Sequence, residues 1–255
     1  MKKNLEKAIS IQSDNVIVPL ITPTNIEDFF PLVDHVLSGG IKNLMLFGTT
    51  GEGNKFDLEI KKAIIKKLVT FIGTQAKLFT VLFGSSLIDI VNFANFCEDA
   101  GFKAALIPIT QTNDRQFFSQ LLEKTNIKFF LYNTASAPTM EIRDDLFNSN
   151  RIIGLKDSSG NIEFVKNLIN KYKETEFKIY YGREHQIEKA LTLDIDGIFP
   201  GIGNIQPDLA VKLWEKRDEE TFALFRDLKK QIDNASPGNY QQGIRNLLAK
   251  KGIIR

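Results

Sequence analysis

The chain is poor in the residues on which thiol, disulfide and metal chemistry depend. Its 255 residues include one cysteine, Cys97, and two histidines, His35 and His185. A lone thiol forms no intramolecular disulfide and supplies neither a zinc cluster nor a redox pair. No H-E-x-x-H or H-x-x-E-H spacing occurs, and acids and histidines do not cluster, so no metal site is expected. Cys97 falls in Phe93-Ala94-Asn95-Phe96-Cys97. That stretch reads as the buried face of a helix, where a free cysteine behaves as a small hydrophobe. His35 lies in an amphipathic segment and reads as structural. His185 follows Gly182-Arg183-Glu184 and could equally face a site.

Long apolar runs are also missing. No segment approaches the ~20 apolar residues of a membrane-spanning helix. The opening MKKNLEKAISIQSDN has a lysine pair but no apolar run behind it, unlike a secretory signal. A cytoplasmic protein with no membrane partner is the expectation. Charge is nearly balanced, with 33 basic and 31 acidic residues scattered along the chain. Nucleic-acid binding, which calls for a basic face or arm, is not expected. Lys61, Lys62, Lys66 and Lys67 bunch locally at a spacing that suits the solvated side of a helix. No Pro/Gly-rich linker or low-complexity tract divides the chain, so a single domain over residues 1–255 is expected.

What is present is a rhythm. Short apolar runs, Val16–Ile21, Asn43–Leu46, Leu78–Val81, Ala104–Ile107, Lys128–Leu131, Ile152–Lys156, Lys178–Tyr181 and Gly197–Phe199, read as strands covered on both faces. Between them, Ile26–Ser38, Leu58–Thr70, Ser86–Ala100, Arg115–Lys124, Ile142–Asn148, Asn161–Tyr172 and Glu184–Leu193 carry helical periodicity. Asp114 and Pro207 stand near helix starts, and Gly39-Gly40, Gly101 and Gly197 stand where helices give way to strands. Eight such units fit an α/β fold of the (β/α)8 TIM-barrel type. An open, doubly wound sheet has the same periodicity. Pro207–Arg217 supplies the eighth helix, and residues 218–255 add short C-terminal helices, Glu219–Asn234 and Asn239–Lys250.

Function in a barrel gathers on the loops that follow the strands, and four of these are unusual. Strand one ends in Ile21-Thr22-Pro23-Thr24. Strand two runs into Phe47-Gly48-Thr49-Thr50-Gly51-Glu52-Gly53. That loop nearly spells a nucleotide-binding G-x-x-x-x-G-K, but Asn54 stands where the lysine is required. Its glycines and hydroxyls suit a small planar anion such as a carboxylate. The alternative is a glycine-rich turn whose threonines cap the next helix. Strand five ends in Tyr132-Asn133, and strand six in Gly154-Leu155-Lys156-Asp157-Ser158. A lysine at the end of a buried strand is desolvated, which favours the neutral amine able to form a Schiff base with a ketone. Otherwise it reaches solvent or pairs with Asp157. Tyr132 either passes protons beside that amine or simply packs its ring.

Taken together, Gly48-Thr49-Thr50-Gly51-Glu52, Tyr132-Asn133 and Gly154-Leu155-Lys156-Asp157, with Thr22-Pro23 and Gly197, Gly201 and Asn204, resemble the dihydrodipicolinate synthase / N-acetylneuraminate lyase family. The resemblance runs from about Asn15 to Ile254. It implies a closed barrel and a class I aldolase or lyase that acts on pyruvate or other 2-oxo acids without metal or cofactor. It implies that Lys156 is the Schiff-base lysine, that Tyr132 assists proton transfer, and that Thr49 and Thr50 hold the substrate carboxylate. Gly48, Pro23, Gly182, Glu184 and Pro200 join them as candidate substrate-binding residues. It further implies a homotetramer.

Departures from the family pattern bear on the substrate. After Tyr132-Asn133, the synthases continue toward an arginine that grips the second substrate. Here the run is Thr134-Ala135-Ser136-Ala137-Pro138-Thr139, with an alanine where that arginine aligns. The tyrosine pair after strand four is replaced by Ile109-Thr110-Gln111. The Thr-Ala-Ser-Ala run is similar to that of archaeal 2-keto-3-deoxygluconate aldolases. In place of the sialic acid lyases' Gly-x-Asp-Glu stands Gly182-Arg183-Glu184-His185, with Glu184 a candidate partner for a sugar hydroxyl. The chain also stops before the family's usual last helices. The expectation is an aldolase cleaving 2-keto-3-deoxygluconate, or its 6-phosphate, to pyruvate and a glyceraldehyde, with Arg115 and Arg183 as candidate phosphate partners. Alternatives are 4-hydroxy-tetrahydrodipicolinate synthase or N-acetylneuraminate lyase activity, or a non-catalytic 2-oxo-acid binding protein.

Overall fold

The computed structural model describes residues 15–255, apart from Ser85, Asp144, Phe147 and Asn148. The N-terminal stretch judged not to be a secretory signal therefore lies almost wholly outside the described residues. Eight parallel strands pair in sequence order: β1 (Val18–Pro19), β2 (Asn43–Leu46), β3 (Lys77–Val81), β4 (Ala104–Pro108), β5 (Phe129–Asn133), β6 (Ile152–Asp157), β7 (Lys178–Tyr181) and β8 (Gly197–Ile198). A parallel bridge between Val16 and Ile198, with the Ile17 N–H donating to the Ile198 carbonyl at 3.0 Å, joins the last strand to the first. The sheet is thus a closed (β/α)8 TIM barrel, and the open-sheet alternative falls.

β1 is shorter than its apolar run because Pro19 has no N–H to give to the ladder. The run stays extended beyond the named strand, with the Leu20 N–H donating to the Met45 carbonyl at 3.0 Å. Helices α1 (Phe29–Ser38), α2 (Leu58–Ile72), α3 (Leu87–Asp99), α4 (Ile109–Thr112), α5 (Arg115–Lys124), α6 (Ile162–Tyr172), α7 (Ile187–Ala190) and α8 (Pro207–Lys216) ring the barrel. They are followed by α9 (Glu219–Ala235) and α10 (Tyr240–Lys250). Asp114 caps α5, accepting from the N–H groups of Gln116 and Phe117 at 2.9 and 3.0 Å, and Pro207 opens α8.

Some elements differ from expectation. The short α4 follows β4 directly. The segment expected as one helix over Glu184–Leu193 is a 3-10 turn, Glu184–Gln186, and then the single helical turn of α7. The helix expected over Ile142–Asn148 falls partly on residues outside those described. Of its described residues, Asp145 and Leu146 form a 3-10 turn and Ile142 and Arg143 are not helical. Lys61 is not on the solvated side of α2. It is 2% exposed and shares a face with Ile64, Ile65 and Leu68. Its ammonium lies 6.0 and 5.7 Å from the Phe47 and Phe93 ring centroids, and the favourable cation–ring geometry explains how a lysine is accepted there.

Two apolar clusters hold the fold together. The larger lies between the strands' outward faces and the helices and includes Leu44, Leu46, Leu131 and Leu155. It also takes in buried Cys97, as expected, whose thiol burial pushes up and out of reach as a nucleophile. The smaller fills the barrel interior with Ile17, Met45, Phe79, Leu106, Phe130, Tyr180 and Phe199 among others. Its aromatic rings meet edge to face, Phe79–Phe130 at 6.4 Å, Phe130–Tyr180 at 5.4 Å and Tyr180–Phe199 at 5.7 Å. Gly154 makes this possible, because a Cβ there would come within 2.6 Å of the Phe130 ring. The interior is solid below the rim, so chemistry is confined to the ends of the strands.

Candidate active site

Strand register brings the two central residues together. Lys156 on β6 pairs with Tyr132 on β5 and with Tyr180 on β7. Alternation along β6 sends Asp157 the other way. There its carboxylate accepts from Asn133 Nδ2 at 2.7 Å, from the Ser159 N–H at 3.1 Å and from Ser159 Oγ at 2.9 Å. Burial nevertheless raises the Asp157 carboxyl to about 6, against the pull of Ser159 and Asn133.

Both ordinary readings of Lys156 therefore fail: Asp157 is committed to other partners, and the lysine is 4% exposed. Its Nζ lies 4.4 Å from the ring centroids of both Tyr132 and Phe199. Burial pulls the Lys156 ammonium below the usual lysine range, and the charge and hydrogen bond of Tyr132 only partly oppose this. Such an amine is available as a nucleophile at lower pH than a surface lysine.

The Tyr132 hydroxyl shares a hydrogen bond of 3.0 Å with Thr49 Oγ1. Thr49 belongs to the loop after β2, where it does not serve as a helix cap. That role falls to Asp57, which accepts from the Ile60 N–H at 2.8 Å. The capping alternative for the loop is excluded. Of the three non-glycine residues with left-handed backbone among those described, Phe47 (φ 57°) and Glu52 (φ 49°) flank this loop. Held strain of this kind gathers where a backbone must present itself to a ligand. The loop is closed by the N–H groups of Glu52 and Gly53 donating to the carbonyls of Thr49 and Gly48, each at 3.1 Å. It is anchored outward by Thr22 Oγ1, donating to the Gly51 carbonyl at 2.6 Å, and by Arg245, whose guanidinium meets Glu52 Oε2 at 2.5 Å.

A cavity of about 430 Å³ opens above Lys156. Thr49, Thr50, Tyr132, Lys156, Gly182 and Glu184 line it, and His185 faces it as well. Pro23, Gly48 and Pro200 are buried and do not line it. Pro19, Phe199 and Gly201 stand at the wall, the last two being the sequence neighbours of Pro200. Gly182 is there for space. A Cβ at that position would sit 2.5 Å from Lys156 Cε and 2.6 Å from Ser158 Oγ. Arg115 pairs with Asp145 and is not at the cavity, whereas Arg183 is.

Residues that motif reading passed over complete the site. Ser158, 4% exposed, lines the cavity with an Oγ that has no hydrogen-bond partner, a donor and acceptor left for a ligand. Its position two residues past Lys156, on the same inward face, is a signal that alternation could have supplied. Ala135 lines the cavity after β5. From the C-terminal helices come Lys229, Asp233 and Tyr240. Tyr240 Oη donates to Glu184 Oε2, and the other oxygen of Glu184 accepts from the Ile202 N–H at 2.9 Å. Glu184 is thus held in place by the protein at the cavity wall. Burial raises its carboxyl above the usual range, and burial likewise keeps the Tyr240 phenol protonated. Burial, then the nearby Arg183 and Lys229, lowers the His185 imidazole. Among the described residues no group of three or more His, Cys, Asp or Glu is placed to hold a metal, and no helix is long and apolar enough to cross a membrane.

Comparison with known proteins bears on the family and the fold. Residues 13–247 match the model of the dihydrodipicolinate synthetase family. The chain is 27% identical over 214 residues to the 4-hydroxy-tetrahydrodipicolinate synthase of Clostridium perfringens strain SM101, covering 78% of this chain and 73% of that one. The dihydrodipicolinate synthase structure of Bacteroides thetaiotaomicron superposes with a TM-score of 0.84 at 22% identity, covering 94% and 89%. The 2-keto-3-deoxygluconate aldolase of Picrophilus torridus gives 0.76 at 17% identity, covering 93% of each.

Proposed function

The chain belongs to the dihydrodipicolinate synthetase family, a family of lyases and aldolases, and on that premise we propose that it cleaves 2-keto-3-deoxy sugar acids such as 2-keto-3-deoxygluconate through a Schiff base on Lys156. The observation that carries the proposal is the buried, desolvated Lys156 beside Tyr132 and the Thr49-Thr50 loop. The neutral amine attacks the C2 ketone, and loss of water gives an iminium. The iminium withdraws electrons from C3, so the C3–C4 bond breaks as the C4 hydroxyl loses its proton and leaves as an aldehyde. The resulting enamine takes a proton at C3, and water releases pyruvate and restores the amine. Tyr132, bonded to Thr49, is placed to carry the protons. Thr49 and Thr50 hold the carboxylate.

The substrate assignment rests on the second half of the cavity. Ala135 offers no cation there, and no arginine of the 134–139 run exists to grip a second carboxylate. One variant of the reading has its own support: Arg183 and Lys229 at the mouth suit a 6-phosphate. Borohydride reduction in the presence of pyruvate, followed by peptide mapping, tests the chemistry; an adduct elsewhere than Lys156, or none, defeats it. Turnover of ketodeoxygluconate, its 6-phosphate, and pyruvate with aspartate semialdehyde ranks the substrates. Faster use of the semialdehyde would replace the proposal with the synthase reaction. A homotetramer belongs to the same proposal, and light scattering at the mass of a single chain would remove it.

A further inference from the structure

Tyr240 reaches the cavity from the first position of α10, yet no step at Lys156 employs it. The helix behind it is fastened across the barrel mouth at two points. At one end Tyr240 Oη donates to Glu184, in the turn after β7. One turn further on, Arg245 donates to Glu52 Oε2 at 2.5 Å and to the Thr22 carbonyl at 3.2 Å, beside the loop after β2. Lys229 of α9, itself at the cavity, lies 4.8 Å from the centroid of the Tyr240 ring and packs against it. The tyrosine is therefore a fixed part of the wall.

The chemistry of the Tyr240–Glu184 pair is one-sided. Tyr240 has spent its only proton on Glu184, and Glu184 accepts from Tyr240 and from the Ile202 N–H at 2.9 Å. What remains toward the cavity is lone pairs on the phenol and carboxylate oxygens. Lone pairs in a partly buried wall are satisfied by hydrogen-bond donors and left wanting by alkyl groups. We propose that Tyr240, with Glu184, contacts the hydroxyl groups on the aldehyde-derived half of the substrate, so that the C-terminal helix selects hydroxylated over plain aldehydes. This rests on the Schiff-base reading of Lys156.

The test runs the reaction toward condensation with the full-length protein, pairing pyruvate with glyceraldehyde or with propanal, which has the same carbon chain and no hydroxyls. Wild type should prefer glyceraldehyde. Tyr240→Phe keeps the ring and its contact with Lys229. It should lower kcat/KM for glyceraldehyde about tenfold, the effect of losing one hydrogen bond. Propanal turnover and the pyruvate adduct should fall far less than glyceraldehyde turnover, so that the ratio between the aldehydes narrows. Glu184→Gln should also narrow the preference while Tyr240 keeps a partner for its proton. An equal loss on both aldehydes would reduce Tyr240 to a structural role and overturn the proposal, as would an unaltered ratio in a folded variant. If wild type forms no adduct with pyruvate, the parent reading falls and this one with it. An adduct with an unaltered ratio removes this one alone.

Discussion

Gly182→Ala adds one methyl group at the point where space is tightest around the proposed nucleophile. The added Cβ would lie 2.5 Å from Lys156 Cε and 2.6 Å from Ser158 Oγ, where ordinary contacts begin near 3.4 Å. Lys156 must therefore retreat by about 0.9 Å, the difference between those two distances. The backbone imposes no penalty, since Gly182 is not among the glycines with positive φ. The atoms that must move are the far end of a flexible chain and a rotatable hydroxyl, so the stability cost should fall at the low end of the ~1–3 kcal/mol of overpacked cores. A reacting group displaced by roughly 1 Å loses on the order of 100-fold in rate, or about 2.7 kcal/mol of barrier. The variant should thus melt within a few degrees of wild type and turn over about 100-fold more slowly. Its rate of forming the borohydride-trapped adduct should fall in proportion. Steady-state kinetics, single-turnover trapping and thermal melts measure the three quantities on one preparation. Turnover within threefold of wild type would mean that Lys156 is not the group whose position sets the rate.

Lys156→Met should stabilise the fold by ~1–3 kcal/mol, the scale of a buried polar group without full partners, while abolishing the adduct. Because burial lowers the lysine's folded-state value, the unfolded chain binds the extra proton. The native penalty is thus greatest at low pH and fades as pH rises toward the ordinary lysine range, so a larger gain at pH 10 than at pH 6 in urea unfolding would contradict it. For Asp157, raised from 3.8 to about 6, the folded state keeps its proton longer than the unfolded one. Its contribution, about 3 kcal/mol, is full below the unfolded value and lost as pH climbs through about 6. Asp157→Asn should remove that slope, and an unchanged difference between pH 4 and pH 7 would refute it. Arg245→Met should raise KM for pyruvate several-fold with little change in kcat, through the Glu52 contact that steadies the carboxylate loop. A double-mutant cycle with Glu52→Gln should give a coupling of about 1 kcal/mol, and strict additivity would show that the pair does not act together.

The parts of the fold legible in the sequence were those governed by local pattern. Buried parallel strands announce themselves as short apolar runs, and β2 and β7 match their runs residue for residue. Lys156 and Tyr132 were singled out as strand-end polar residues, but local pattern left each an ordinary alternative, and only the family resemblance joined them. Lys61 was misjudged by weighing its charge above its place on the face shared with Ile64, Ile65 and Leu68. Tyr240 was illegible for a different reason. Its partner Glu184 lies 56 residues away, and nothing in an amphipathic helix marks which of its residues will meet a distant turn. Contacts between the C-terminal helices and the rim are set by packing, which local periodicity does not encode.

The edge-to-face rings that fill the barrel make the pocket a cul-de-sac. With Phe130, Tyr180 and Phe199 stacked beneath Lys156, traffic has one door. On the proposed Schiff-base reading, the half of the substrate tethered to Lys156 would sit at the blind end, with the other half between it and bulk solvent. The aldehyde would then leave before water reaches the tethered intermediate, and pyruvate would leave last.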